Sequence, residues 1–182
     1  MELSPISSFD DDTEQARSAA EQYPNALAQC LALSDWSFAS QLAMLPAAAL
    51  PVNNVTDPDL PYFFQAPSDM IRMREVGDAC TVWRLDRDGL RTDSPGPIRI
   101  RYTATVTNEA ILPASFQTAV ALKLALLLGP RWLGTQSKLA DLSRRFEMEI
   151  ATAKKNDARS ASAVRYDAGA GAGGDWSNHS TW

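Results

Sequence analysis

The sequence predicts a mainly α-helical fold with a small antiparallel β insert. We expect a bundle of three to four helices, a sheet of three to four strands and an extended C-terminal tail. Apolar residues recur at helical spacing near the start of the chain and again in its last third, whereas a central stretch alternates apolar and polar residues. After Tyr166 the sequence is rich in glycine and has too few apolar side chains to build a core. Residues 1–166 are therefore predicted to form one domain, and residues 167–182 a flexible tail.

The first helix is predicted over about residues 11–34. Asp11 and Asp12 lie in its N-cap region, where carboxylates stabilise the exposed amides and the positive end of the helix dipole. Pro24 lies inside the helical pattern and lacks the amide hydrogen that a helix uses, so we expect a kink or a restart there.

A β insert is predicted over about residues 68–107, after a loop. Five prolines between Pro46 and Pro67 exclude a helix and a central strand, and indicate a long crossing loop. Strands are predicted from Met70 to Val76, from Cys80 to Leu85 and from Pro97 to Val106. The last is the clearest, because apolar and polar residues alternate along it with a period of two. Asp86 and Asp88 are predicted to lie in a hairpin turn.

Two further helices are predicted over about residues 113–129 and 135–163. Pro113 suits the first turn of a helix, and Gly129-Pro130 is expected to end that helix. The leucine-rich second half of this helix leaves little polar face, which indicates burial by other helices or by a neighbouring subunit. The third helix is amphipathic.

Five side chains are assigned to the structural core: Trp36, Phe38, Phe116, Leu124 and Phe146.

Charge is divided unevenly along the chain. Residues 1–69 carry ten acids and one base, which gives −9, whereas residues 70–182 carry sixteen bases and twelve acids, which gives +4. Two interpretations remain open: complementary surfaces between copies or partners, and unrelated solvated faces.

No apolar stretch is long enough to span a membrane, and no signal peptide is evident, so neither membrane insertion nor export is expected. Cys30 and Cys80 are expected to be free buried thiols in a reducing compartment.

No catalytic, cofactor-binding or metal-binding residues are predicted. The glycines at 169, 171 and 174 match a dinucleotide fingerprint in spacing, but that motif requires a strand before it and a helix after it. The only histidine, His179, lies in the tail, which offers no rigid scaffold for a catalytic triad. Arg99 and Arg101 share a strand face, and solvation or protein contacts explain them more simply than phosphate binding.

The tail carries aromatic residues that are costly to leave in water. Trp176 and Trp182 follow the glycine-rich stretch, and Tyr166 precedes it. Aromatic anchors on a flexible segment are typical of a segment that orders when it binds a partner.

Several of these features, taken in order, resemble the tail tubular protein A-like family of bacteriophage head-to-tail adaptors. Tyr23-Pro24 in the first helix is followed by Trp36-Ser37-Phe38-Ala39, and the Trp-x-Phe-Ala pattern carries most of the resemblance. An extended stretch from Leu60-Pro61, the strands, and an apolar helix opened by Leu112-Pro113 follow in the family order. The similarity covers about residues 14–160. Ser34, Asp35 and Ser37 stand where the family often has His, Pro and Asn.

The resemblance implies a structural virion protein rather than an enzyme. It implies a homo-oligomeric ring, commonly of twelve subunits, that joins the portal to a tail or stopper protein and continues the DNA channel. Such a protein is assembled in the host cytoplasm and resides in the neck of the virion. The family's C-terminal region can engage the portal, so Tyr166, Trp176 and Trp182 are assigned to portal binding as a hypothesis. The alternative is a phage DNA-packaging or DNA-binding subunit.

Overall fold

A computed structural model describes residues 8–51, 54–132 and 136–160. The helices and strands run in this order: α1 Glu14–Ala32, a 3-10 turn Ser37–Ala39, β1 Ser40–Leu45, β2 Tyr62–Phe64, β3 Met70–Val76, β4 Trp83–Leu85, β5 Leu90–Thr92, β6 Ile98–Ala104, a second 3-10 turn Glu109–Ile111, α2 Ala114–Trp132 and α3 Gln136–Ser160. Tyr166, Trp176, Trp182 and His179 lie outside the described residues.

The predicted fold class is wrong, because the chain has a mixed α/β fold. Its described part contains three α-helices and two three-stranded antiparallel sheets rather than a helical bundle with one small insert. Strands begin at Ser40, well before the predicted insert at residues 68–107. Three strands, β1, β2 and β5, were missed. β2 and β5 have only three residues each, and they pair with each other across nearly thirty residues of chain. β1 is an edge strand whose partner, β6, lies about sixty residues further along the chain. Strands this short show no periodicity in the sequence.

The first sheet has the strand order β1-β6-β3, and the second has the order β2-β5-β4. In the first sheet, β6 is central and alternates as predicted over its first part: Ile98 and Ile100 are buried, whereas Arg99 between them is exposed. The prediction is wrong for Thr103, which was expected on the wet face and is fully buried. In the second sheet, β4 and β5 form a hairpin, and β2 pairs with β5 so that Phe64 lies opposite Leu90. Residues from both sheets share one apolar cluster: Phe64, Met73, Val76, Leu90, Ile98, Ile100, Tyr102 and Ala104.

The helices form a second layer in which α2 is central. Both α1 and α3 pack on α2 and make little contact with each other. Their buried faces build a separate apolar cluster with Trp36 and Leu112: Ala26, Leu27, Cys30, Leu31, Ala39, Phe116, Ala119, Val120, Ile150 and Ala153 complete it. Of the five predicted core residues, Trp36 and Phe116 are fully buried, while Phe38, Leu124 and Phe146 are half-buried and pack against the same cluster.

Trp36 lies at the centre of the helical core. Its indole Nε1 donates a hydrogen bond to the Cys30 carbonyl at 3.0 Å, which holds the end of α1. Its ring meets Phe116 of α2 edge-on, with the ring centroids 4.8 Å apart, and Phe38 packs on both. Edge-on aromatic pairs are favoured because the positive ring edge meets the negative ring face. The Trp-x-Phe segment therefore fastens α1 to α2.

The same segment joins the helices to the first sheet. The Arg74 guanidinium on β3 donates to Thr103 Oγ1 at 2.8 Å and pairs with Asp35 at 3.3 Å. From α3, the Asp157 carboxylate accepts hydrogen bonds from the Ser37 amide at 2.9 Å and from its hydroxyl at 2.6 Å. Charge-assisted bonds of this kind are stronger than neutral ones. The stretch Asp35–Ser37 thus contacts the sheet and the last helix at once.

The first helix does not restart at Pro24, so one of the two outcomes predicted there is wrong. It runs from Glu14 to Ala32 without a break, and its N-cap is Thr13, whose Oγ1 accepts a hydrogen bond from the Ala16 amide at 3.1 Å. Pro24 deprives the Ala20 carbonyl of its helical donor, but both residues are exposed. Water can hydrate a carbonyl on a wet face, so the helix continues.

Gly129-Pro130 does not end α2, which continues to Trp132. Pro130 lies in the last turn, where its missing amide affects one carbonyl only, and Gly129 is buried. The pair therefore lies within the helix. The third helix begins at Gln136, and the predicted end near residue 163 lies outside the described residues.

Neither cysteine forms a disulfide, but only one is buried. Cys30 lies in the helical core, and burial raises the pKa of its thiol to about 11 despite the nearby Lys123. Cys80 is exposed, so the expectation that both thiols are buried is wrong for Cys80.

Within residues 8–51, 54–132 and 136–160, none of the helices combines the length and apolarity needed to cross a membrane.

Replacing Phe116 with Ala should lower the free energy of unfolding by about 3–5 kcal/mol, because it removes a fully buried ring and leaves a cavity beside Trp36. Phe9→Ala is the matched control, since Phe9 is 45% exposed, and it should change the free energy of unfolding much less. Urea denaturation followed by tryptophan fluorescence measures both. Equal losses from the two substitutions would contradict the central place of Phe116 in the core.

Candidate interaction surfaces

The acidic residues near the β4-β5 hairpin are engaged in ion pairs. The Asp86 carboxylate accepts from Arg84 at 2.9 Å and from the buried Arg91 at 2.8 Å, and Arg84 also reaches Asp57 at 2.7 Å. The Arg84 hydrogen bond is the largest influence that holds the pKa of Asp86 below its usual range. The cluster ties the proline-rich loop to the hairpin, which accounts for these carboxylates without acid or base chemistry.

Neither metal-binding nor phosphate-binding geometry is evident in the described part of the chain. No group of three or more His, Cys, Asp or Glu side chains there could hold a metal ion. Arg101 is paired with Glu75 at 3.2 Å. A cavity of about 490 Å³ beside them is also lined by Arg99 and Asp78, so its charges are balanced. The arginines of β6 therefore do not make a concentrated basic patch.

The leucine-rich half of α2 is covered on only part of its surface. All seven residues from Leu122 to Leu128 are half-buried. Leu124 and Leu127 pack against the helical core, and Lys123 lies over the Phe146 ring of α3 at 5.4 Å. The single chain thus leaves apolar surface of this run in contact with water, although the sequence predicted burial on nearly all sides.

An apolar groove of about 340 Å³ opens beside this run. Helix α2 lines one wall, and α1, the second 3-10 turn and the residues before α1 complete it: the lining residues are Phe9, Tyr23, Glu109, Leu112, Gln117, Val120, Ala121 and Leu124. Phe9 and Tyr23 pack against each other with ring centroids 5.3 Å apart. Glu109 is the single charged residue of the lining.

The Tyr23 hydroxyl reports on the electrostatics of this groove. Burial is the largest influence that raises the pKa of Tyr23 to about 12, and the hydrogen bond and charge of Glu109 raise it further toward that value. A phenolate would lie in an apolar setting beside a carboxylate, which disfavours ionisation twice. The groove therefore has a negative rim and repels a further negative charge.

The outer face of α3 carries an exposed apolar side chain. Met148 is 68% exposed, and it stands on the face of the helix that does not pack on α2. Its neighbours one turn earlier are Arg144 and Arg145, and those one turn later are Ala151 and Thr152. Arg144 is 3.3 Å from Asp141, and both of those side chains are largely exposed.

Exposed apolar residues also lie on two strand edges. Leu42 and Met44 project from β1, which pairs with β6 on one side only. Trp83 and Leu85 are partly exposed on β4, the edge of the second sheet. These edges present unpaired backbone groups as well as apolar side chains, a combination that suits association with another chain.

The two oppositely charged parts of the sequence are partly paired within one chain. Among the described residues, three ion pairs join the part before residue 70 to the part after it: Glu14 with Arg131, Asp35 with Arg74, and Asp57 with Arg84. Part of the charge asymmetry is therefore matched by contacts inside one chain. Acidic side chains around the start of α1 and basic ones on α3 remain at the surface.

Sequence reasoning singled out the α2 run but missed the groove and Met148. The groove brings together residues from four separate stretches of chain, which no linear pattern reveals. Met148 could have been found, since it interrupts the polar face of an otherwise amphipathic helix.

No protein-family model matches this sequence, and no curated protein matches it either.

Replacing Glu109 with Gln should lower the pKa of Tyr23 from about 12, because the amide carries no negative charge. The value should stay above the ordinary 10.0, since burial is the larger cause. Phenolate absorbance is titrated in each protein, and Tyr23→Phe identifies the Tyr23 component.

The same titration has a consequence for stability. The folded pKa of Tyr23 lies above its unfolded value, so the folded state holds the proton more tightly. The free energy of unfolding should therefore fall as the pH rises from 10 to 12, and this fall should be smaller in Tyr23→Phe. An unchanged Tyr23 titration in Glu109→Gln would show that the carboxylate does not act on the hydroxyl.

Proposed function

We propose that this chain is a structural virion protein of the head-to-tail adaptor type, not an enzyme. Copies of it form a ring, with twelve subunits as the family pattern implies, which joins the portal to a tail or stopper protein and continues the DNA channel. Its site of action is the neck of the virion, after assembly in the host cytoplasm. DNA passes through the ring without sequence-specific binding.

The half-covered apolar run of α2 is the observation that carries this proposal. Six of the seven residues from Leu122 to Leu128 are apolar, and all seven are half-buried. Burial of apolar area drives association, at roughly 25 cal/mol per Å² before the costs of association. A protein that works as one subunit of a ring can bury such a surface against its neighbour.

The order of features along the chain supports the same proposal. The Trp-x-Phe-Ala segment follows α1 and fastens it to the apolar helix α2, and a long closing helix follows. The adaptor resemblance rests on that order. Two three-stranded sheets lie between α1 and α2, where one small β insert was expected.

The alternative of a DNA-packaging or DNA-binding subunit has less support. Two of the arginines that could contact phosphate are engaged by carboxylates, in the pairs Arg101–Glu75 and Arg84–Asp86. Phosphate binding requires cationic groups that can displace counterions, so paired arginines contribute less to it. If the protein does not retard duplex DNA in a gel mobility-shift assay at low salt, this alternative is excluded.

Deletion of residues 167–182 should leave the fold intact but abolish binding to portal rings of the phage that encodes this chain. The reason is that Trp176 and Trp182 are the proposed anchors, with Tyr166 at the base of the tail. Trp176→Ala combined with Trp182→Ala keeps the tail length and should weaken binding as strongly as the deletion. Pull-down on immobilised portal rings measures binding, and circular dichroism checks the fold.

Electron microscopy of the full chain with portal rings tests the adaptor role itself. We expect an added ring on one face of each portal. Full-length protein that leaves the portals bare would contradict the proposed function. Tail-deleted protein that binds as well as the full chain would contradict only the role of the tail.

A further inference from the structure

The outer edge of β1 lacks the features that keep a strand edge from pairing with another chain. β1 pairs with β6 along all six of its residues, and in the described part of the chain no backbone hydrogen bond reaches the other side of residues 41–45. Its sequence, Ser40–Leu45, contains no charged residue and no proline. Charged side chains, prolines and bulges are the usual means by which proteins block a strand edge, and β1 has none of them.

The three other edges of the two sheets are short or blocked. β3 has two irregularities in its pairing with β6, carries Arg72, Arg74 and Glu75, and lies against α1. β2 and β4 have three residues each. Ala48 already bridges to β2, and Arg84 of β4 is held in ion pairs. A second copy of this chain therefore offers one long, unblocked edge to β1, and that edge is its own β1.

We propose that two copies of this chain pair their β1 strands antiparallel about a two-fold axis at Ala43, so that their β1-β6-β3 sheets join into one sheet of six strands. Such a contact closes at two copies and builds no ring. It goes beyond the proposed function, since it concerns the chain before it meets a portal. It uses none of the residues from Leu122 to Leu128.

The two faces of β1 select the register of this pairing. Leu42 and Met44 are 59% and 61% exposed, whereas Ala43 between them packs against the apolar cluster of the sheets. Residues directly opposite each other in an antiparallel pair project to the same face of the sheet. An axis at Ala43 places Leu42 of each copy opposite Met44 of the other, so all four exposed side chains gain an apolar partner. An axis at Leu42 or at Met44 leaves one apolar side chain of each copy without one.

Electrostatic repulsion does not oppose this two-fold arrangement. β1 is uncharged, and its neighbour β6 carries Arg99 and Arg101 on the wet face. The β6 strands of the two copies lie three strand spacings apart, about 14 Å. That separation exceeds the Debye length of about 8 Å at physiological ionic strength, so the arginines of one copy are screened from those of the other. Arg101 is also paired with Glu75 of its own chain.

Disulfide trapping in the full-length chain tests the contact and its register. Every variant also carries Cys80→Ser, because Cys80 is an exposed thiol, whereas Cys30 is buried and is kept. An equimolar mixture of Leu42→Cys and Met44→Cys should form a disulfide-linked dimer on mild oxidation, since directly opposed Cβ atoms lie about 5 Å apart. Each variant alone should crosslink about tenfold less, because its two cysteines lie on a diagonal, about 7–8 Å apart. Met148→Cys replaces Met44→Cys in the control mixture, which should not crosslink above the single variants.

Sedimentation velocity over a concentration series measures the association itself. The wild-type chain should show a dimer whose fraction grows with concentration. Met44→Lys should weaken the dimer about ten- to thirtyfold, because the introduced charge enters the two-fold contact twice, once in each cross-strand pair. Met148→Lys is the matched control, since Met148 is 68% exposed on α3, and it should dimerise like wild type. Circular dichroism verifies that each variant folds.

Three results would overturn the contact: a wild-type chain that stays monomeric up to its solubility limit, a Met44→Lys variant that dimerises as tightly as wild type, or a cysteine mixture that crosslinks no more than either variant alone. An edge that serves a strand of another protein gives the first result, because the purified chain lacks that protein. Dimerisation only after deletion of residues 167–182 would assign the edge to the tail and would also overturn the contact.

Discussion

The Trp36 indole and the polar residues beside it hold the two halves of the molecule together. The ring closes the core between α1 and α2, while Asp35 contacts Arg74 of the sheet and Ser37 contacts Asp157 of α3. Each of those elements has its own apolar cluster, but the clusters are separate. This short segment therefore sets the relative placement of helices and sheet together with Ile71 of β3, which packs against the helical cluster.

Fixing that segment also places the candidate surfaces. Phe116 packs on Trp36, and the same helix continues into the half-covered run and forms one wall of the groove. With α2 anchored at its start, α1 and α3 occupy its two sides, and the groove lies on the α1 side with Glu109 of the second 3-10 turn in its lining.

Local patterns predicted the long elements and failed on the short ones. The spacing of Trp36 and Phe38, the alternation in β6 and the apolar stretch of α2 are visible in the sequence because each extends over several residues. The three-residue strands β2 and β5 exist because Tyr62 finds Thr92 and Phe64 finds Leu90 about thirty residues away. Likewise, Pro24 and Pro130 were predicted to disrupt helices because the sequence alone does not show whether a proline lies on an exposed face or in a final turn. In the folded chain Pro24 is exposed and Pro130 lies in the last turn of α2, so both helices continue.

The bond between Ser37 and Asp157 joins residues 120 positions apart. Contacts of such long range close late and slow the folding of a domain. A growing chain releases Ser37 long before Asp157, so the Trp36 segment waits for α3 before its amide and hydroxyl are capped. A fragment that ends before α3 lacks this carboxylate and leaves both Ser37 donors without it.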